Sequence, residues 1–422
     1  MLLWQEVARD RAAWCNVSTD LDCKTVETRV AHEGDSFLTI TLPNFGKDLE
    51  RALAEEKVAD DHFAGFRRHG GLPAFLGGFL QLVFDRSTGR LLDDPDVDAI
   101  QALRQLALLC GKVERPCTPK RVRAAFAKYI ECEQEVKRTD AITTESDIAA
   151  FSRVGLLLYG RLLSRLDREV YDGTLVPKHG PGAVAERGLS GNRKFAQLYP
   201  GRTRKGQWTE RLETVFPYGE YVLPNFRYWR SAGHVDFLEP GAESPVRVIT
   251  VPKTMKTPRI IAVEPTCMQY AQQALWGALR DGIEGDDFLS NFIGFSDSET
   301  NRSMAREASE RGDLATLDLS EASDRVSNQH VRALFGYHRW IALALDACRS
   351  RKAEVPGYPV QRLAKFASMG SAVCFPVEAM VFTTVVFLGI QDQLRRPLTR
   401  KDVLTFRGRV RIYGDDILVP VE

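Results

Sequence analysis

The sequence predicts an α+β fold, on three observations. Apolar residues recur at helical spacing through residues 1 to about 165, short β-rich runs bounded by turn formers begin near residue 246, and one later run ends in an aspartate while two others flank a Gly-Asp-Asp turn. A chain of 422 residues is long enough for about three domains, or for fewer with larger cores. With 57 Lys+Arg against 56 Asp+Glu the formal charge is only +1, and 44% apolar with 27% charged residues describes a globular chain rather than a disordered one. Any nucleic-acid surface must therefore arise from local clustering of cations.

The first region reads as helical scaffold, with Ile100, Leu103, Leu106, Ala107 and Cys110 on one stripe and Phe151, Val154, Leu157 and Leu158 on another. Asp93-Asp94-Pro95-Asp96 reads as turn and capping chemistry rather than as a metal site. Eight scattered cysteines without a C-x-x-C pair fit a reducing compartment, argue against a zinc ribbon or disulfide scaffold, and read as packing residues. The seven histidines form no metal pattern. No secretion signal is expected, because charge enters the N-terminus by Glu6. The apolar run Ala379 to Ile390 is shorter than a bilayer span and reads as a buried core helix.

Between about 172 and 245 the texture turns to Gly, Pro, aromatic and basic residues: His179-Gly180-Pro181-Gly182, Gly191-Asn192-Arg193-Lys194-Phe195, then Arg202, Arg204, Lys205 and Trp208. Such a mixture suits RNA, and equally a long solvated loop. Val246 to Val251 and Ile260 to Val263 then flank a basic turn in which Lys253, Lys256 and Arg259 recur every third residue, a spacing that lets several cations face one polyanion such as a triphosphate.

Leu314 to Leu319 reads as a buried strand ending at Asp318, followed by a helix start with capping serines in Ser320 to Arg325, which places Asp324 on the next turn. Arg409 to Tyr413 and Ile417 to Val419 read as a hairpin around Gly414-Asp415-Asp416. Successive strand side chains point to opposite faces, so the Gly414 turn must redirect one carboxylate if the two are to converge. Uncompensated carboxylates among Val, Ile and Leu call for a hard cation, Mg²⁺ or Mn²⁺. If Asp318 meets Asp415 across neighbouring strands, the set has the ligands of a two-metal phosphoryl-transfer centre. Against this stands an ordinary exposed Asp-Gly turn. The third element, Phe366 to Ser371, is a small-residue loop that lets a base or ribose approach the backbone before an apolar helix with Pro376 in its first turn.

The ordered set Lys253-x-x-Lys256-x-x-Arg259 with Glu264-Pro265, Asp318-Leu-Ser-Glu-Ala-Ser-Asp324, Ser368-Met-Gly370 with Phe375 and Glu378, and Tyr413-Gly-Asp-Asp416 resembles the RNA-dependent RNA polymerases of the levivirus-type RNA phages. Asp297 to Arg302, His179 to Phe195 and Phe84-Asp85 to Asp98 add to the resemblance. It implies a right-hand polymerase with an RRM-like antiparallel palm sheet: a mainly helical region 1–165 as fingers scaffold, fingers with basic RNA- and NTP-contacting loops at 166–265, and a palm at 266–422. It implies Asp318 and Asp415 as principal ligands of two Mg²⁺ ions, with Asp416 auxiliary. Lys253, Lys256 and Arg259 then clamp the incoming triphosphate. Asp324 with Ser368 or Ser371 reads the ribose 2′-hydroxyl, and Gly370 belongs to a loop that moves with translocation.

The implied partners are single-stranded RNA template, nascent RNA, NTPs and host translation proteins, with no membrane, in the cytoplasm of an infected bacterium. Family members continue beyond the Gly-Asp-Asp motif, so the sequence is expected to be truncated and to lack the thumb. A mitovirus- or narnavirus-type replicase shares these motifs and is the nearest alternative. A reverse transcriptase usually has an apolar residue where Gly414 stands. A non-catalytic RNA-binding fragment is the alternative of a different class.

Overall fold

The computed structural model describes residues 1–187, 194–199, 205–222 and 235–422, and mixes helix with sheet as the α+β expectation requires. Of the basic and glycine-rich segment, Gly191-Asn192-Arg193, Arg202 and Arg204 lie outside the described residues. The chain divides into two compact units, residues 1–125 with 250–259, and residues 126–249 with 260–422. These bounds differ from the three expected regions. The first boundary falls inside the helix Pro119–Ile142 rather than near 165, and the tip of the basic hairpin groups with the N-terminal unit.

In the first unit, Trp4, Phe37, Phe45, Leu49, Phe79, Leu103 and Leu106 form the core. The helix Val97–Leu108 buries its Leu103, Leu106 and Ala107 stripe, and Asp96 caps it by accepting from the Ala99 N–H at 2.9 Å, which confirms the capping reading of that acidic turn. Trp4 Nε1 donates to the Leu106 carbonyl at 2.8 Å, so even this indole polar atom is satisfied in the core. Asp22 is buried to accept the Leu76 N–H at 2.6 Å, and burial pushes its carboxyl up to about 6.

The second unit is organised by two long helices. Glu145–Tyr171 starts at a capping box, Thr144 accepting from Asp147 N–H and Asp147 from Thr144 N–H, and buries Phe151, Val154, Leu158, Tyr159, Leu162 and Leu166. Cys374–Leu394 is long and apolar enough to cross a membrane by composition, but Val377, Ala379, Met380, Thr383, Thr384 and Phe387 are buried within the unit. Tyr159 Oη donates to the Met380 carbonyl at 3.0 Å and ties the two helices together.

Two sheets carry the sequence motifs. The first has strand order 259–263, 246–251, 352–354, 361–362; both predicted β-runs around the basic turn are there. The second is antiparallel, with Asp416–Pro420 between Arg411–Tyr413 and Leu314–Asp318. One expectation fails here. Leu314–Asp318 is not buried along its length: only Leu314 is, while Leu317 is 43% and Leu319 37% exposed. The strand forms an edge of its sheet, so pairing covers it on one side only. All eight cysteines are free, five of them buried, consistent with packing roles.

Candidate active site

The hairpin closes through a two-residue turn, Gly414-Asp415, with Tyr413 and Asp416 as register partners. Gly414 has φ +63°, and a Cβ there would stand 2.1 Å from Phe375 Cε2, so both backbone conformation and ring packing demand glycine. Across the next strand pair, Asp416 is the partner of Asp318, with Ile417 facing Leu317 and Leu418 facing Thr316. Asp318 is the ladder partner of Asp416, while Asp415 stands in the turn as its second residue, one position before the ladder begins.

All three carboxylates are exposed, and none forms an ion pair with a described residue. Asp416 is pushed above the ordinary aspartate range by partial burial, then by the negative charges of Asp415 and Asp318. Directly opposed like charges on adjacent strands are unfavourable, so this end of the sheet gains from a cation. Oxygen-only ligands suit Mg²⁺ or Mn²⁺. Among the described residues no three His, Cys, Asp or Glu side chains stand as a finished metal cage, so the aspartates are neighbours rather than a closed set. A cavity of about 600 Å³ beside them is lined by Asp318, Asp416, Tyr413, Ser298, Asn301 and Arg302. Asn301, inside the Asp297 to Arg302 stretch, is 7% exposed with both amide atoms unpartnered, a feature that periodicity does not reveal.

Glu378, on the first turns of the apolar helix, lies behind the turn. Burial, with the charges of Asp415 and Asp324, pushes its carboxyl up to about 7 against the opposing hydrogen bond with Ser323. The expected serine caps are absent from the one-turn helix Ala322–Arg325: Glu321 occupies the cap position at φ +50° with no side-chain cap bond. Ion pairs hold this turn to the helix Pro119–Ile142 instead, Arg325 to Glu135 at 2.7 Å and Lys128 to Glu321.

Asp324 has a partner that sequence reading missed. Lys365, with a side chain 0% exposed, stands 3.1 Å from Asp324 Oδ1, 3.9 Å from Glu133 Oε2 and 3.6 Å from the centroid of the Tyr129 ring. Burial disfavours its ammonium, yet Asp324, Tyr129 and Glu133 together hold its pKa above the ordinary lysine value. Tyr129 Oη is 3.0 Å from Ser368 Oγ. Asp324 and Ser368 are thus anchored by one turn of one helix, through Glu133 with Lys365 in the first case and through Tyr129 in the second. The only sequence signal was the i, i+4 spacing of Tyr129 and Glu133, which any helix face can show.

Ser371 is buried with its hydroxyl unpartnered. Gly370 has φ +129°, a Cβ there would lie 2.2 Å from the Ala262 carbonyl oxygen, and Ala262 N–H donates to Met369 O at 2.8 Å. The small-residue loop is therefore packed against the strand Arg259–Val263. Lys253, Lys256 and Arg259 are exposed without ion pairs to described residues, and Lys256 reaches Asn44 Oδ1 at 3.3 Å. They belong to the first unit and the carboxylates to the second. Lys194 is spent internally, donating to the Gly180 carbonyl at 3.1 Å and to Gly182 O. His179 packs 4.8 Å from the Tyr270 ring, and burial, then Lys194, pushes its pKa down to about 4.

The family model for the RNA replicase beta-chain matches residues 242–422. The RNA-directed RNA polymerase beta chain of Enterobacteria phage fr is 32% identical over 182 residues, 42% of this chain and 29% of that protein. The RNA-directed RNA polymerase subunit beta of Escherichia virus Qbeta is 33% identical over 175 residues, 41% of this chain and 27% of that protein. The corresponding subunit of Enterobacteria phage SP is 34% identical over 173 residues, again 41% and 27%. The match thus spans less than a third of the length of these curated relatives. Residues 242–422, which contain the basic turn, the Asp318 strand, the Ser368 loop and the Gly-Asp-Asp hairpin, are thus the part of the chain that is similar to the RNA replicase beta-chain.

Proposed function

We propose that this chain carries the fingers and palm of an RNA-dependent RNA polymerase that extends RNA from NTPs on a positive-strand phage template. The single observation that carries the proposal is the pairing of Asp318 with Asp416 beside Asp415, three exposed acids without an ion pair to a described residue, inside the segment similar to named polymerases. Asp318, Asp415 and Asp416 would hold two Mg²⁺ ions, which when bound supply activation of the attacking 3′-oxygen and neutralisation of the departing pyrophosphate.

The chain's own side chains do the rest. Lys253, Lys256 and Arg259 offer unpaired cations to the triphosphate. Asp324 gives Oδ1 to Lys365 and keeps Oδ2 to accept from a ribose 2′-hydroxyl, with Ser368, held by Tyr129, and Ser371 beside it in the same role. Lys365 and Tyr129 act as positioning residues, because each fixes a group that touches the sugar rather than touching it directly. Gly370 lets the loop backbone approach the nucleotide. The setting is the cytoplasm of an infected bacterium, with template and nascent RNA, NTPs and host translation proteins as partners.

The test is primer extension on an RNA template with and without Mg²⁺, using the chain in its full-length replicase. Asp415→Asn is expected to lower incorporation by on the order of a hundredfold or more, the scale of losing one electrostatic contact to reacting groups. Wild-type incorporation by that variant refutes the metal assignment. Salt-dependent RNA binding with no Mg²⁺-dependent extension by the wild type refutes the polymerase and leaves an RNA-binding module.

A further inference from the structure

A second charged site lies in the same unit, built of guanidiniums rather than carboxylates. A cavity of about 350 Å³ is lined by Arg332 of the helix Asn328–Phe335, by Arg349 and Arg351 after the helix Arg339–Ala347, and by Arg362 of the strand Gln361–Arg362. We infer that this cavity binds a phosphate group, presented by an RNA strand or by a free phosphate, which have the chemistry in common.

The depth of Arg349 is the first reason. It is 6% exposed, and its guanidinium donates from Nε to Phe366 O at 2.9 Å and from Nη2 to Leu363 O at 2.8 Å and Lys365 O at 2.7 Å. These partners are carbonyl dipoles, so they fix the fork but cancel none of its charge, and Nη1 remains for the cavity that Arg349 lines. A buried cation without an ion-paired counter-ion is costly. Asp346 and Glu133 attract Arg349, but no described residue forms an ion pair with it, and burial first, then Arg351, pushes it down to about 10.

The count of acids is the second reason. Asp346 alone serves Arg351 at 2.6 Å, Arg332 at 3.3 Å and Arg211 at 3.8 Å, and Glu243 adds contacts to Arg211 at 3.1 Å and Arg351 at 4.0 Å. The one carboxylate lining the cavity, Asp140, already accepts the Ser327 hydroxyl at 2.5 Å. Arg362 is exposed at the rim and forms no ion pair with a described residue. The lining therefore sets four guanidiniums against one carboxylate, supplied by the helix Asn328–Phe335, the strand Gln361–Arg362 and the segment after the helix Arg339–Ala347. Planar forks in that arrangement match a tetrahedral oxyanion better than a single carboxylate, which one Arg already satisfies bidentately. The amides of Asn328 and Gln329 complete the lining, and Gln329 Oε1 is buried without a partner, as a hydrogen-bond acceptor for a sugar or base attached to the phosphate would be.

Two measurements on the full chain, without Mg²⁺ or NTP, test the inference. The first maps arginine modification by a dicarbonyl reagent in the presence of a short single-stranded RNA or of inorganic phosphate. Protection of Arg362 and Arg332, with Arg86 in the other unit unprotected, is the expected result. The second is RNA affinity against salt for Arg362→Gln and Arg332→Gln, with Arg86→Gln as a control of equal charge. Each pocket variant is expected to weaken binding about 3- to 10-fold and to lower the salt slope by about 1, the change for one lost phosphate contact. Protection by RNA but not by phosphate assigns the site to a strand; protection by phosphate alone assigns it to the free anion. Arg362 and Arg332 left unprotected under both ligands, or protected by RNA while the pocket variants remain indistinguishable from Arg86→Gln, overturn the inference.

Discussion

Asp318 and Asp324 stand on consecutive turns of chain yet sit in opposite electrostatic surroundings. Asp318, with Asp415 and Asp416, is exposed beside the edge of a three-stranded sheet and forms no ion pair with a described residue. Asp324 and Glu133 lie against a fully buried ammonium that also covers an aromatic face. The first group is cheap to leave ionised because water screens it, and it keeps its coordination capacity for something outside the chain. The second is committed to internal partners, and its energy depends on every member being present. Open acids keep their oxygens free, whereas neutralised acids fix the groups around them in place.

The largest expected effect breaks the buried set. Lys365→Met leaves Asp324 without the buried ammonium and Glu133 with only the looser contact to Lys137 at 3.8 Å, and is expected to lower stability by about 3 to 5 kcal/mol, read from denaturant unfolding. A change below about 1 kcal/mol would mean that water already screens the pair.

Next comes a buried acid with hydrogen bonds, whose burial outweighs the attraction of Arg349. Glu264 is 3% exposed, accepts from Ser350 Oγ, and is pushed up to about 7, chiefly by burial. The folded carboxyl keeps its proton up to about pH 7 while the unfolded one releases it near 4.5, so the folded state holds more protons between those values. Stability should fall as pH rises across this window, by at most about 1.4 kcal/mol per pH unit from this group, and level off above it. Glu264→Gln should flatten that slope in thermal melts from pH 4.5 to 8. Asp22 and Glu378, also raised, contribute slope of the same sign and leave a remainder.

Tyr129→Phe keeps the ring against Lys365 but removes the bond to Ser368. About 1 kcal/mol of stability should be lost. In the full replicase the preference for NTP over dNTP should fall while dNTP incorporation itself changes little; equal losses for both substrates would reduce Tyr129 to a packing residue. The smallest effect has the opposite sign. Asp416→Asn removes a carboxylate from a like-charged pair, so the melting temperature without divalent metal should stay level or rise slightly, and a clear drop would show that Asp416 makes a stabilising contact.

Much of the site was legible because its determinants are local. Gly414 was identified from its place between two β-runs, and φ +63° against the Phe375 ring is the reason that no other residue serves. Both strands around the basic turn and the Asp96 cap follow from β-propensity and side-chain capping, which act within a few residues. That Asp416 and not Asp415 is the ladder partner of Asp318 was not legible, since a one-residue shift of register exchanges the two. The serine caps failed because ion pairs from a helix far away in sequence hold that turn.

What sequence by itself determined, then, was the inventory and its order: the helical first part, the paired strands, the acidic, basic and small-residue motifs, and the glycines that backbone geometry requires. Only the tertiary structure decided which acids are neutralised and which stay open. Charge neutralisation depends on distances of a few ångströms between side chains far apart in the chain, as with Lys365 and Glu133 or the four arginines around their cavity. No periodicity encodes such distances, because the burial that makes them count exists only once helices and sheets have packed.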